Sequence, residues 1–145
     1  MLYDYCKLVK KYKMVVHGIL HVGAHECEER ESYLNGGCPN NKIIWIEGNP
    51  NLVNEYLKKE PNTLLLNYLV SDQDDQQINF NITNNLESSS ILDLGTHKVH
   101  HPEITIVDNL LMNTKRIDTI YKIHRINPFF ANFLNIDIQG AELLA

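Results

Sequence analysis

The sequence is short of positive charge, cysteine and long apolar runs, and each shortage argues against a class of protein. Thirteen Lys and Arg stand against 18 Asp and Glu, a formal charge of -5, whereas a nucleic-acid backbone is held by clustered cations. No nucleic-acid partner is expected. The one locally basic stretch, Lys7 to Lys13, reads as a solvated helix face. Cys6, Cys27 and Cys38 are odd in number and lack CxxC spacing, which points to free thiols in a reducing compartment. No apolar run approaches the roughly 20 residues that span a bilayer, and the N-terminus, with Asp4, has no signal-peptide core. A soluble, cytoplasmic protein without a membrane span is expected. What is present suffices for a core: 145 residues, 43% of them hydrophobic, read as one domain over 1–145.

The stretch Gly18 to Glu28, GILHVGAHECE, organises the rest. Ile19, Leu20 and Val22 read as a short buried strand, and Gly23 and Ala24 remove bulk where the chain must turn. Glu26, Glu28 and Glu29 then place negative charge in the first turn of a helix expected over 26–34, ended by Gly36 and Gly37. A second apolar strand, Ile43 to Glu47, closes on an acid. Asn49 and Pro50 start a helix whose apolar face is Leu52, Val53, Tyr56 and Leu57. Thr63 to Val70 reads as a third strand, buried on both faces. An amphipathic helix occupies the first dozen residues. The order β-α-β-α-β predicts an α/β, Rossmann-like fold: a mostly parallel sheet with flanking helices and right-handed crossovers. Further on, Ile78, Phe80 and Ile82 alternate with asparagines as in a strand with one wet face. Residues 84–101 read as a functional loop, Ile104 to Val107 as a strand, Arg116 to Ile123 as a short helix and Phe133 to Ile138 as a last core strand.

Four strand ends are expected to converge on one rim, the first at the Gly23 turn and the other three carrying polar groups. Glu47 lies roughly 20 to 25 residues past the turn, where such folds set a carboxylate on a ribose hydroxyl pair. Ser71 and Asp72 end the third strand, placed either to hydrogen-bond an adenine amino group or simply to form a turn. Asp137 interrupts the last apolar strand beside Gly140 and delivers a carboxylate to the mouth of the sheet, where open α/β sheets bind ligands. The acids after the turn bear on the cofactor. At about 4 Å and an effective dielectric near 20, each carboxylate facing a phosphate costs on the order of 4 kcal/mol. S-adenosylmethionine has no phosphate and carries a sulfonium and an ammonium, so the charge pattern favours it over NAD. His25, next to the turn, is a candidate general base for an acceptor hydroxyl, or else an ordinary hydrogen-bonded loop histidine. His17, His21 and His25 recur every fourth residue, but a strand's rise of about 3.3 Å per residue spreads them too far for one ion. His97, His100 and His101 cluster without an obvious carboxylate or thiolate, and no metal is expected.

The segments HVGAHECEE, IWIEGNP, LVSD, NLESSSIL, KRIDTI and FLNIDIQGAEL resemble the FkbM-type methyltransferases, a class I, S-adenosylmethionine-dependent, Rossmann-like family, from about Gly18 onward. The most specific pieces are the GAHE turn, the acid-x-Asn-Pro after the second strand and DIQGAEL. The resemblance implies S-adenosyl-L-methionine as cofactor and O-methylation of a sugar, glycolipid or secondary metabolite. It implies cofactor contacts at Gly23, Ala24, Glu47 and Asp72, to which the same rim adds His25, Asn49 and Ser71. It places Asp137 near the reacting methyl group and the loop of Ser88, Ser89 and Ser90 over the acceptor; His25 joins Asp137 as a catalytic candidate only through its position beside the turn. Two departures accompany it. Cys27 stands where the family often has glycine, and family members usually continue past the last motif. The fold is therefore expected to be C-terminally truncated relative to the usual one, leaving one edge of the last strand uncovered. Either the chain is a short form, or a second copy or another partner completes the sheet. A non-catalytic nucleotide-binding or interaction module of the same descent is the alternative function, and a NAD-linked enzyme is disfavoured by the missing glycines.

Overall fold

The computed structural model describes residues 4–92 and 100–145. In chain order its elements are α1 (Tyr5–Tyr12), β1 (Ile19–Val22), α2 (Arg30–Asn35), β2 (Ile43–Glu47), α3 (Pro50–Lys59), β3 (Leu65–Asn67), β4 (Leu69–Val70), β5 (Gln77–Thr83), β6 (Ile106–Lys115), α4 (Ile117–Ile123) and β7 (Phe133–Ile136). Four strands form one sheet in the order β3-β2-β1-β7, every neighbour parallel. The remaining three form a second sheet, β4-β6-β5, in which β5 and β6 run antiparallel. This is the α/β, Rossmann-like arrangement that the strand-helix alternation predicts.

Both faces of the four-stranded sheet are covered, which is why β1 and β2 are almost wholly apolar. Because side chains alternate along a strand, Ile19, Ile43, Trp45 and Leu65 meet Tyr5, Tyr33 and Val53 on one face. Leu20, Val22, Ile44, Ile46 and Leu66 meet Ile120 of α4 on the other. A third cluster, Leu69, Phe80 and Ile82, lies under the β5–β6 ribbon. Asn49 caps α3 by accepting the Asn51 N–H at 3.0 Å, with Pro50 in the first turn, as the sequence predicts.

The expected third strand divides at Tyr68. Asn67 turns its side chain back to the Glu47 and Gly48 carbonyls, at 2.8 and 3.0 Å, so β3 ends there and β4 joins the second sheet. The short strand expected over 104–107 is instead β6, ten residues long, whose polar face of asparagines hides it from a hydrophobicity reading. The helix after β1 starts at Arg30 and not at 26, because His25 and Cys27 take left-handed backbone angles, φ 45° and 57°, that no right-handed helix contains. Glu26 and Glu28 therefore precede α2. The last strand stops at Ile136, so Asp137 lies just beyond it. Among the described residues β7 is paired on one side only, and Leu134 on it is 55% exposed. No helix among them is long and apolar enough to cross a membrane. Of the histidine cluster, His97 lies outside the described residues, while His101 places Nδ1 3.4 Å from Glu103 Oε1.

Candidate functional site

The parallel register brings the C-terminal ends of β1, β2 and β7 to one rim, and the turns that leave them enclose a cleft of about 310 Å³. At the end of β1 the chain reverses at Gly23, φ 86°. A Cβ there would fall 1.8 Å from the Asp137 carbonyl oxygen, so only glycine allows this turn to lie against the end of β7. The Gly23 and Ala24 N–H groups both donate to the Ile46 carbonyl, at 2.9 and 3.0 Å. His25 N–H donates to Glu47 Oε2 at 2.8 Å. Three successive donors of the turn are thus bonded within the protein.

Glu47 ends β2 with only 7% of its surface exposed. Its Oε1 accepts the Asn49 N–H at 2.7 Å, so each carboxylate oxygen holds one backbone donor. Burial raises its pKa, and the N–H donors of Asn49 and His25 pull in the opposite direction without cancelling it. Each oxygen keeps acceptor capacity toward the cleft. Beside it, Leu69 and Phe80 close on Gly48 so tightly that a Cβ would meet both at 3.3 Å, giving the cleft an apolar wall.

Asp137 closes the opposite side. Its N–H bonds the Val22 carbonyl at 2.9 Å, and its Oδ1 accepts Gln139 Nε2 at 2.8 Å. The turn behind it, DIQGAE, is held by Glu142, whose Oε1 accepts the Ile138 and Gly140 N–H groups at 3.0 and 3.1 Å. Burial tends to raise the pKa of Glu142, but the backbone donors together outweigh it and hold the carboxyl below its ordinary value. Ser90 fastens the 84–92 loop to this turn by donating to the Ile138 and Gln139 carbonyls, at 3.3 and 3.2 Å. Ser89 donates to Leu86 O at 2.7 Å. Both serines line the cleft with hydroxyls that already fix the loop.

Of the residues singled out in the sequence, Gly23, His25, Glu47, Ser89, Ser90 and Asp137 line this cleft. Ala24 is buried in the turn and Asn49 is buried at the start of α3; neither forms its wall. Ser71 and Asp72 line a separate shallow hollow with Arg116, Ile117 and Asp118, because the switch of sheets at Tyr68 carries them past the rim. Glu28 and Glu29 also face the cleft, and Glu28 is hydrogen-bonded to His25 Nδ1. Among the described residues no three His, Cys, Asp or Glu are grouped as a metal site. Strained backbone gathers here: His25, Leu86 and Gln139, all with positive φ, line the cleft, and Cys27 belongs to the same turn as His25. Sequence reading missed the apolar wall, and it weighed His21 only as a metal ligand, whereas the structure buries it at the lining of the cleft.

A parallel sheet with a glycine turn after its first strand, an acid ending the second and a ligand-sized cleft at their tips defines an α/β fold of the nucleotide-binding kind. More narrowly, the family model described as Methyltransferase FkbM domain matches residues 21–145, and the chain belongs to that family. No curated protein and no solved structure gives a match.

Proposed function

We propose that this protein transfers the methyl group of S-adenosylmethionine to a hydroxyl oxygen of a sugar, glycolipid or secondary metabolite. The observation that carries this reading is the convergence of the Gly23 turn, the buried Glu47 and Asp137 on one cleft. The donor set supports the cofactor. With the N–H groups of residues 23–25 all bonded internally, the turn offers no cradle for a pyrophosphate. Glu28, Glu29 and Asp137 instead present acids, which suit a sulfonium and an ammonium. Glu47 would hold the ribose hydroxyls, and the wall of Leu69 and Phe80 would take the base.

Bound S-adenosylmethionine supplies an electrophilic methyl on a cationic sulfur. The chain's own residues orient and deprotonate the acceptor. Glu28 engages His25 Nδ1 and so leaves Nε2 as the basic nitrogen for the hydroxyl proton. Asp137, across the cleft mouth, orients that hydroxyl. Such positioning provides much of the rate of an in-line displacement. The three free thiols, two of them buried, support a reducing, cytoplasmic setting.

Calorimetry with S-adenosylhomocysteine tests the reading. Saturable binding is expected, about tenfold or more weaker in Glu47→Gln, which loses a charge-assisted hydrogen bond to the ribose. No heat at millimolar ligand, or unchanged affinity in Glu47→Gln, overturns it. Binding with no methyl transfer to any acceptor favours the non-catalytic module.

A further inference from the structure

Each strand of the parallel sheet is entered from the end remote from the cleft, so the segments that precede β1, β2 and β7 share one pole of the molecule. Those segments, residues 13–18, 36–42 and 124–132, contain no Asp or Glu. The last turn of α1 meets this pole and brings Lys10 and Lys11, with Lys13 just beyond it at φ 50°. All three are exposed, and none is ion-paired among the described residues. Lys7, one turn earlier, is instead held by Asp4 at 3.4 Å. The cleft at the opposite pole is lined by Glu28, Glu29, Glu47, Glu87 and Asp137. A chain of formal charge -5 is therefore polarised, acidic around the cleft and basic at the far end.

The basic pole also exposes apolar side chains. Tyr12 is 61% exposed, and Val15 and Phe129 are 84% exposed. The last two are brought together from opposite ends of the chain on a fixed backbone. Asn132 Nδ2 donates to the Val15 carbonyl at 2.7 Å, and His17 Nε2 lies 3.1 Å from the Phe129 carbonyl. The Phe129 N–H donates to Asn127 Oδ1 at 2.8 Å. The carbonyl end of α1 accounts for Lys10 and Lys11. It does not account for Lys13, outside the helix, nor for apolar tips held in water where they stabilise nothing in this chain. Lysines and apolar tips on one surface match a bilayer, where cations meet anionic headgroups and aromatic or aliphatic groups enter the interface. A nucleic acid would answer the cations alone. We propose that this pole docks on a membrane leaflet rich in anionic lipid, with Lys10, Lys11 and Lys13 against the headgroups and Tyr12, Val15 and Phe129 in the interfacial layer. The cleft, at the other end, stays open to solution. This docking is independent of the cofactor assignment above.

Co-sedimentation of the full chain with phospholipid vesicles tests it. The protein is expected to pellet with vesicles of equal parts phosphatidylcholine and phosphatidylserine, less so as salt rises, and to stay in the supernatant with phosphatidylcholine alone. Lys10→Gln, Lys11→Gln and Lys13→Gln combined are expected to weaken binding on the order of 100-fold. Phe129→Ser is expected to weaken it about tenfold, and that loss should persist at high salt, where the lysine effect is screened. All four side chains are exposed, so the variants keep the fold, which a melting curve verifies. A wild type that ignores anionic vesicles, or binds neutral ones equally well, overturns the docking. So does undiminished binding in the triple variant or in Phe129→Ser. Retention on a DNA duplex, or a dimer that Phe129→Ser abolishes, without vesicle binding would assign the pole to that partner and overturn the lipid.

Discussion

Gly23 is held by two independent constraints, a positive φ and a carbonyl where a side chain would begin. Gly23→Ala would have to relieve both, by opening the turn or by pushing β7 away. A loss on the order of 3 kcal/mol is expected in urea unfolding, together with loss of S-adenosylhomocysteine binding by whatever remains folded. His21 gives a second prediction at this scale. Burial pushes its pKa down from 6.5 to about 4, against a smaller upward pull from Glu29. Between those values the unfolded chain binds a proton that the folded chain refuses. Stability from the neutral ring is therefore full above pH 6.5 and lost as pH falls toward about 4, by up to roughly 3 kcal/mol. Glu47 acts with the opposite sign: its raised pKa keeps a proton on the folded carboxyl just above pH 4.5, so that contribution shrinks as pH rises. Urea midpoints at pH 7 and pH 5, compared between wild type and His21→Gln, isolate the histidine: the wild type is expected to lose more on acidification. Glu47 and Asp137 were legible in the sequence because an acid closing an apolar run is a local signal. The contacts that join His21, Tyr33 and Asn135 were not, since these residues lie on three elements and are 12 to 114 residues apart.

Elements that follow one periodicity were readable, and those set by side-chain to backbone competition were not. β1, β2 and the start of α3 lie within a residue of where the sequence puts them, because apolar runs and an Asn-Pro cap fix them without help from the rest of the fold. The division between β3 and β4 depends on Asn67 reaching carbonyls 19 and 20 residues away, and β6 depends on pairing with β5 rather than on its own hydrophobicity. The DIQGAE turn is a further case of an element made by one side chain. With Gln139 and Gly140 both at positive φ, the turn has no ladder of its own, and Glu142 replaces it by accepting two N–H groups. Glu142→Ala is expected to cost about 1–2 kcal/mol. Hydrogen exchange should show faster exchange at Ile138 and Gly140 with β1 and β2 unchanged. Uniform loss of protection across the sheet would mean that Glu142 supports the global fold and not the turn.

At the scale of the whole molecule, the cleft exists only because the last strand returns to pair with the first. That return is anchored at the end remote from the cleft. Asn132 accepts the His17 N–H on Oδ1 at 3.0 Å and donates from Nδ2 to the Val15 carbonyl at 2.7 Å, while its own N–H bonds Gly18 O at 3.1 Å. These bonds join residues 115 and 117 apart in sequence. Closing so long a loop is entropically costly, and the cost must be met by contacts of this kind together with the β1–β7 ladder. Asn132 is exposed, so each bond is worth less than it would be in the core. Asn132→Ala is expected to cost about 1–2 kcal/mol, and Asn132→Asp about half as much, since it keeps the acceptor for His17 and loses only the donor to Val15. Because the anchor and the cleft lie at opposite ends of β7, a rigid strand would pass the loosening on to Asp137 and the Gly23 turn. Weaker S-adenosylhomocysteine binding in folded Asn132→Ala would show that the strand moves as one body. Wild-type affinity with reduced stability would show that the turn at Gly23 is held by its own contacts, the glycine packing and the bonds to Ile46, independently of how β7 begins.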